Sequence, residues 1–443
     1  MKVIVIGGVS AGMSAATKIK REQPDAEIAV YEKGDYLSYA ACGLPYYVSN
    51  VNDDHTRMLI RSAEEFKEAG IPSFLNHEVL KVDTQSKSVT VKNLKTGEIF
   101  EDKYDKLMIA SGASSFIPNV DGINLEGVYM LKTINDGLRM KEDLTKDDIK
   151  NVVVVGGGFI GIEVVEAMRE IGKNVTTVEM ADRILTTFDE EISDIATEEL
   201  VRNNVTVSLG ERLLRIEGKN RVSRVVTDKA TYEADAVILA LGVRPNTGFL
   251  SETGVELAGN GAIITDRYMK TNVKDVFAAG DCALIYNYVK DENSHIPLGT
   301  TASKSGRIAG ANIVGQETEY IGALGSSCIK VFDLELARTG LSESEAAAMG
   351  LDYKTVFVKS IDRARYYPNK TPIWIKLIYE KDTKKILGAH AAGAKGVVLR
   401  IDIFAVAIQM DMTTTKLGMT DFCYAPPYAT VWDAVNIVCN AAK

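Results

Sequence analysis

Five side chains of this 443-residue chain can act as sulfur nucleophiles: Cys42, Cys282, Cys328, Cys423 and Cys439. A cysteine thiolate attacks disulfides, binds soft metals or is itself oxidised. The count is odd, the spacings are wide and no C-x-x-C occurs. Neither a structural disulfide framework nor a zinc site is therefore expected. Composition leaves each cysteine as an ordinary reduced thiol, so context must separate them. Cys42 has the most suggestive context, Ser38-Tyr39-Ala40-Ala41-Cys42-Gly43-Leu44-Pro45-Tyr46-Tyr47, shortly after the acid Glu32.

A second chemistry, the holding of phosphates, is written into two glycine turns. Val3 to Ile6 runs into Gly7-Gly8-Val9-Ser10-Ala11-Gly12 and then Met13 to Arg21. Val152 to Val155 runs into Gly156-Gly157-Gly158-Phe159-Ile160-Gly161 and then Ile162 to Glu170. Each reads as a buried parallel strand, a tight turn and a helix. Such a turn brings backbone N–H groups and a helix N-terminus up to a pyrophosphate. In each copy a further strand ends in an acid suited to a ribose hydroxyl: Ile28 to Tyr31 at Glu32, Val175 to Val178 at Glu179. The second fingerprint is complete, with Gly156, Gly158, Gly161 and Glu179. The first keeps Gly7 and Gly12 but has Val9 in the middle. A doubled unit of this kind implies two nucleotide sites on one chain.

These turns need sheets to hold them. Val89 to Val91, Leu107 to Ala110, Ala236 to Leu241 and Val276 to Ala279 read as further strands. From about Gly325 the texture changes. Trp374 to Tyr379, a turn at Lys381-Asp382-Thr383 and Lys385 to Leu387 form a hairpin pattern. A helix follows with Val397, Ile401, Phe404 and Ile408 on one face, flanked by Val398 and Ala405. The expected class is α/β, with two Rossmann-like dinucleotide-binding domains and a C-terminal α+β domain. Net charge is −9, which argues against nucleic acid or an anionic membrane as main partner. No stretch approaches the roughly 20 apolar residues of a membrane span, and the N-terminus starts as a strand rather than a secretory leader. A cytoplasmic location is expected.

Further along, Thr271 to Ala283 resembles the second FAD fingerprint of two-dinucleotide-binding flavoproteins. There the Asp after Ala-Gly contacts the flavin's ribityl chain; here it is Asp281. Ser111-Gly112-Ala113 sits where those proteins carry a related turn. The resemblance assigns Gly7, Gly12, Glu32, Ser111, Gly112 and Asp281 to FAD, and the second site to a nicotinamide cofactor. At Glu179 a carboxylate repels a 2′-phosphate, so NADH is expected, while Arg183 lies close enough in sequence to leave NADPH possible.

Around Cys42 the whole chain resembles the single-cysteine branch of the pyridine nucleotide–disulfide oxidoreductases. That branch holds coenzyme A disulfide reductases, NADH oxidases and NADH peroxidases. The resemblance implies an FAD-binding domain at 1–113 and 243–324, an NAD(P)H-binding domain at 114–242 and a dimerisation domain at 325–443. It also covers Pro297-Leu298-Gly299-Thr300-Thr301. Two-cysteine relatives use C-x-x-x-x-C; five positions either side of Cys42 stand Leu37 and Tyr47. None of His55, His77, His295 and His390 lies near the C-terminus, where those relatives carry a base. The chemistry then runs through one thiolate, as a mixed disulfide or a sulfenic acid.

Oxidases and peroxidases carry a His in the first glycine turn; this chain has Ser10. Coenzyme A disulfide reductases use a tyrosine pair from the partner subunit. The matching positions are Tyr366 and Tyr424, with Tyr367 and Tyr428 as neighbours; packing at a subunit interface is the other reading of these side chains. The resemblance therefore implies a homodimer acting on a small-molecule disulfide, coenzyme A disulfide, with Cys42, Tyr366 and Tyr424 catalytic. Arg21, following Lys18 and Lys20, either meets the ligand's phosphates or belongs to a solvated helix face. Ser38, Tyr39 and Arg61 are further candidates for that pocket. Ala41 stands where relatives often place Asn, which removes one expected contact. An NADH oxidase working through a Cys42 sulfenic acid, or a persulfide or polysulfide reductase, is the alternative.

Overall fold

Strands that are apolar on both faces can only sit in the middle of a covered sheet. Val3, Ile4 and Val5 are fully buried, and Val152 to Val155 nearly so. Each such side chain contributes about 1.5–3 kcal/mol by leaving water. The computed structural model describes residues 1–443. It divides into two compact units, Met1–Phe116 with Lys132–Leu138 and Gly242–Ala323, and Ile117–Leu131 with Arg139–Leu241 and Leu324–Lys443.

In the first unit a five-stranded parallel sheet runs Val276–Ala278, Lys106–Ile109, Lys2–Ile6, Glu27–Glu32 and Ser73–Leu75. The helix Ser10–Glu22 follows the central strand. It lies against the helix Gly299–Ile313 so closely that a Cβ on Gly306 would stand 2.2 Å from the Ala11 carbonyl oxygen. An antiparallel three-stranded sheet, His77–Asp83, Ser88–Asn93 and Ile99–Lys103, completes the pattern.

The second unit repeats this plan. Its parallel sheet runs Val205–Ser208, Asn174–Val178, Asn151–Val155, Ala236–Leu239 and Val128–Tyr129. The antiparallel sheet Leu213–Gly218, Val222–Thr227 and Thr231–Glu233 stands in the matching place in the chain. The same unit holds a five-stranded antiparallel sheet, ordered Ser327–Val331, Leu334–Gly340, Ile386–Gly393, Pro372–Glu380 and Tyr353–Ile361. The helix Val397–Gln409 covers it with Val397, Ile401, Phe404, Ala407 and Ile408 buried. Its other face leaves Leu399 and Val406 exposed, at 73% and 62%. No helix is long and apolar enough to cross a membrane.

Both glycine helices begin earlier than apolar spacing suggests, at Ser10 and Phe159 instead of Met13 and Ile162. The last glycine of each turn, Gly12 or Gly161, thus lies inside the helix. The first helical turn has no period-3.6 partner before it in sequence, so periodicity cannot see it.

Candidate nucleotide and thiol sites

The two glycine turns are built alike. Gly7 and Gly156 have φ of +100° and +111°, which favours glycine. A Cβ would also stand 2.2 Å from the Ala110 oxygen in one and 2.4 Å from the Ala240 oxygen in the other. In both, a Cβ on the last glycine would stand 1.9 Å from the oxygen of the first. Each acid is held by two backbone N–H groups. Glu32 accepts from Gly8 at 2.8 Å and Gly34 at 2.7 Å; Glu179 accepts from Gly157 at 2.6 Å and Ala181 at 2.8 Å.

What the protein leaves open matters as much. Gly158 has no atom within 4 Å of its would-be Cβ, so no packing requires glycine there. Neither helix has a side-chain cap or an acid in its first turn, so its leading N–H groups remain to receive an anion. These features fit dinucleotide pyrophosphates. In the first turn Val9 occupies the position that Gly158 leaves open, so the two turns differ at that point.

The other FAD candidates gather at the first turn. Gly280 approaches Ala11, since a Cβ there would be 2.8 Å from Ala11 Cβ. Asp281 Oδ2 lies 3.3 Å from Lys132 Nζ, and its carbonyl is 2.8 Å from His295 Nε2. Ser111 Oγ donates to the Asn246 carbonyl at 2.7 Å, while Gly112 (φ +65°) accepts from Asn246 N–H. Lys132, paired with the candidate Asp281, is a neighbour that sequence reasoning missed. It stands 149 residues from Asp281, within Lys132–Leu138, and no local pattern marks it.

Cys42 occupies a short 3₁₀ turn, Ala41–Gly43, leading into the helix Leu44–Val48, and is exposed. Its approach is stitched to the first glycine turn. Ser38 N–H donates to the Gly8 oxygen at 2.8 Å, Ile60 N–H to the Ser38 oxygen at 2.8 Å, and Ala40 N–H to the Met58 oxygen at 2.9 Å. Ser38 itself is left-handed, φ +45°, a conformation that costs a non-glycine residue about 1 kcal/mol or more. The other thiols differ. Cys282 and Cys439 are buried, and burial pushes both up, Cys439 to about 12. Cys328 is raised by burial and then by Asp402, Glu163 and Glu335. Cys328 and Cys423, the latter beside Tyr424, share the exposure of Cys42.

Ser38 and Tyr39 lie on a segment paired with Leu59 and Ile60, next to Arg61. Tyr39 is raised to about 12, first by burial and then by Glu32 and Asp136. Arg61 lies over the Phe66 ring, 5.7 Å from its centroid. Arg21 is 3.5 Å from Glu22 at the far end of the first glycine helix, about 16 Å along the axis from Ser10. Only an extended ligand spans that distance. Tyr366 and Tyr424 do meet, hydroxyl to hydroxyl, at 3.3 Å. Both are exposed, Tyr366 at 77% and Tyr424 at 45%. The hydrogen bond to Tyr366 is the main reason the Tyr424 phenol is held above its ordinary range.

Residues 1–306 match the family described as pyridine nucleotide-disulphide oxidoreductase, and residues 326–435 match that family's dimerisation domain. The chain belongs to the pyridine nucleotide-disulphide oxidoreductase family. Its class is that of FAD-dependent, NAD(P)H-using oxidoreductases. One relative, an NAD(P)H sulfur oxidoreductase (CoA-dependent) of Pyrococcus abyssi, is 39% identical over 442 residues, 100% of this chain and 98% of its own. An NADH oxidase of Enterococcus faecalis is 34% identical over 100% of this chain and 99% of its own. Among solved structures, reduced Bacillus anthracis CoADR-RHD superposes with a TM-score of 0.97 at 34% identity, covering 100% of this chain and 80% of that one. Members of one family thus carry different substrate names at similar identity, so the substrate must be argued from side chains.

Proposed function

We propose that this flavoprotein reduces coenzyme A disulfide with NAD(P)H, as a homodimer, through Cys42. The observation that carries the choice of substrate is the Tyr366–Tyr424 hydroxyl pair at 3.3 Å on an exposed surface. A sulfenic acid oxidase has no use for paired phenols; a disulfide reductase has a departing thiolate to protonate. Ser10 in place of a His in the first turn supports the same reading, and so does the coenzyme A dependence in the name of the P. abyssi relative. The exposed Leu399, Val406 and Met410 support a subunit interface on the dimerisation domain. The division into FAD-binding 1–113 and 243–324, NAD(P)H-binding 114–242 and dimerisation 325–443 belongs to this proposal.

In the proposed cycle NAD(P)H would supply two electrons, which bound FAD would carry to the disulfide. The Cys42 thiolate attacks one sulfur of coenzyme A disulfide. The substrate S–S bond breaks, a Cys42–coenzyme A disulfide forms, and one coenzyme A thiolate leaves. Tyr424 of the partner subunit, supported by Tyr366, gives that thiolate a proton. Two electrons then cleave the mixed disulfide, releasing the second coenzyme A and restoring the Cys42 thiolate. The sum is one disulfide, one NAD(P)H and one proton converted to two thiols and NAD(P)⁺. Arg21, Ser38, Tyr39 and Arg61 bind the substrate.

Mass spectrometry of the protein isolated without reductant tests the reading. Coenzyme A attached at Cys42 is the expected result; a single added oxygen there would favour the oxidase. Anaerobic NADH consumption should depend on added coenzyme A disulfide. Changing Tyr366 and Tyr424 together to Phe should lower disulfide turnover by about 10²-fold and leave flavin reduction by NADH intact. A double variant within twofold of wild type would remove the tyrosines from the mechanism.

Cofactor choice rests on Glu179. Glu179→Gln should raise the NADPH-to-NADH ratio of kcat/KM by roughly tenfold, the scale of about 1 kcal/mol or more per like charge at close range. Steady-state kinetics with both cofactors check it, and an unchanged ratio would refute the assignment.

A further inference from the structure

The segment Ile184–Asp189 is fastened on two sides, within one compact unit. On one side lies the second glycine turn. Leu185, left-handed at φ +47°, donates its N–H to the Gly157 oxygen at 2.8 Å. A Cβ on Gly157 would stand 2.9 Å from Ile184 Cγ2. Phe188, 1% exposed, sets its ring 5.8 Å from that of Phe159, the first residue of the glycine helix. Ser193 Oγ holds the Ile184 carbonyl at 2.7 Å.

On the other side lies the antiparallel sheet of the dimerisation domain. Asp189 N–H donates to His390 Nδ1 at 3.0 Å, and Asp189 Oδ1 accepts from Glu343 N–H at 2.9 Å. Arg338 donates to the Thr187 carbonyl. The His390 ring meets Phe188 edge-on, centroids 5.8 Å apart at 75°. His390 is fully buried, 201 residues from Asp189. Burial, followed by Arg338 and Lys376, holds its pKa well below the ordinary value. Low pKa favours the neutral ring, whose Nδ1 accepts the Asp189 N–H and lies 3.3 Å from Asp189 Oδ2.

We propose that His390 is a positioning residue for the pyridine nucleotide site: by accepting the Asp189 N–H and backing Phe188, it sets the place of Phe159 at the mouth of the second glycine turn. The dimerisation sheet thereby shapes the pocket for the reductant. This inference rests on reading the second turn as the NAD(P)H site. Removing the acceptor lets Phe188 relax, and Phe159 loses the surface it rests on. Binding of NADH suffers, while the transfer chemistry, whose groups are untouched, does not.

The test is anaerobic bleaching of the bound flavin by NADH in the full-length holoenzyme, for wild type, His390→Leu, His390→Asn and Phe188→Leu. Half-saturation in NADH should rise about tenfold in His390→Leu, on the scale of contacts one step removed from a ligand, with the limiting bleaching rate within about twofold. Asn places an amide oxygen where Nδ1 stood, so His390→Asn should restore half-saturation to near wild type. Phe188→Leu keeps the buried polar contacts and should raise it too, which keeps the test decisive if His390→Leu does not fold. A purely structural role would lower Tm in His390→Leu and leave half-saturation unchanged in every variant; that result overturns the inference. A wild-type protein that NADH does not bleach overturns the pyridine nucleotide reading itself, and this inference with it.

Discussion

Cys42→Ser is expected to lose disulfide turnover by on the order of 10⁴-fold or more, the scale for removal of a covalent nucleophile, while retaining FAD and its reduction by NADH. A hydroxyl at this position has an unperturbed pKa far above that of a thiol. It cannot form the mixed disulfide on which the cycle turns. The variant should fold normally. Cys42 is exposed in a short turn, and its approach is held by backbone hydrogen bonds from Ser38 and Ala40. Coupled assays with coenzyme A disulfide, read beside the flavin absorbance of the purified variant, measure both halves. Turnover near wild type with Ser at position 42 would end the single-thiolate mechanism. Cys423, an exposed thiol beside Tyr424, would then take its place as the candidate.

The second large effect lies in the glycine turn at Gly156–Gly161, where two substitutions to Ala separate folding from binding. Gly161→Ala puts a Cβ 1.9 Å from the Gly156 oxygen, backbone against helix, so the helix must move. A displacement of about 1 Å at the pyrophosphate cradle costs about 10²-fold in NADH-driven flavin reduction, together with a lowered Tm. Gly158→Ala adds a methyl that meets no protein atom within 4 Å. Its Tm should stay within about 1 °C of wild type, since nothing is strained, yet reduction by NADH should also weaken, by about tenfold or more, if the proposed NAD(P)H site brings a phosphate to this methyl. Thermal melts and stopped-flow flavin bleaching distinguish the two. If Gly158→Ala binds NADH as well as wild type, the open space serves no ligand and the second site is only a tight turn.

The C-terminal helix shows how far periodicity reads. Val397, Ile401, Phe404 and Ile408 are spaced for one buried face and are buried. Leu399 and Val406 lie on the opposite face and are exposed; in sequence they only make the helix more apolar all round. Local pattern records that a residue is apolar, not whether another surface covers it. The histidines teach the same lesson in reverse. In sequence His390 is only a residue too far from the C-terminus to be the expected base. In the fold it is fully buried and accepts the Asp189 N–H.

The sequence by itself determined the doubled strand–turn–helix plan, because glycine, valine runs and a terminal acid at fixed offsets are local constraints that few other structures satisfy. It also determined that no second cysteine stands at the spacing an internal redox disulfide near Cys42 would need. Only the tertiary structure decided which thiols are exposed, that Lys132 joins Asp281, that the Tyr366 and Tyr424 hydroxyls meet across 58 residues, and that Gly158 is glycine without any packing reason. Each of these depends on distances between segments remote in the chain. Those distances follow from how sheets and helices pack as whole surfaces, which no short window of sequence encodes.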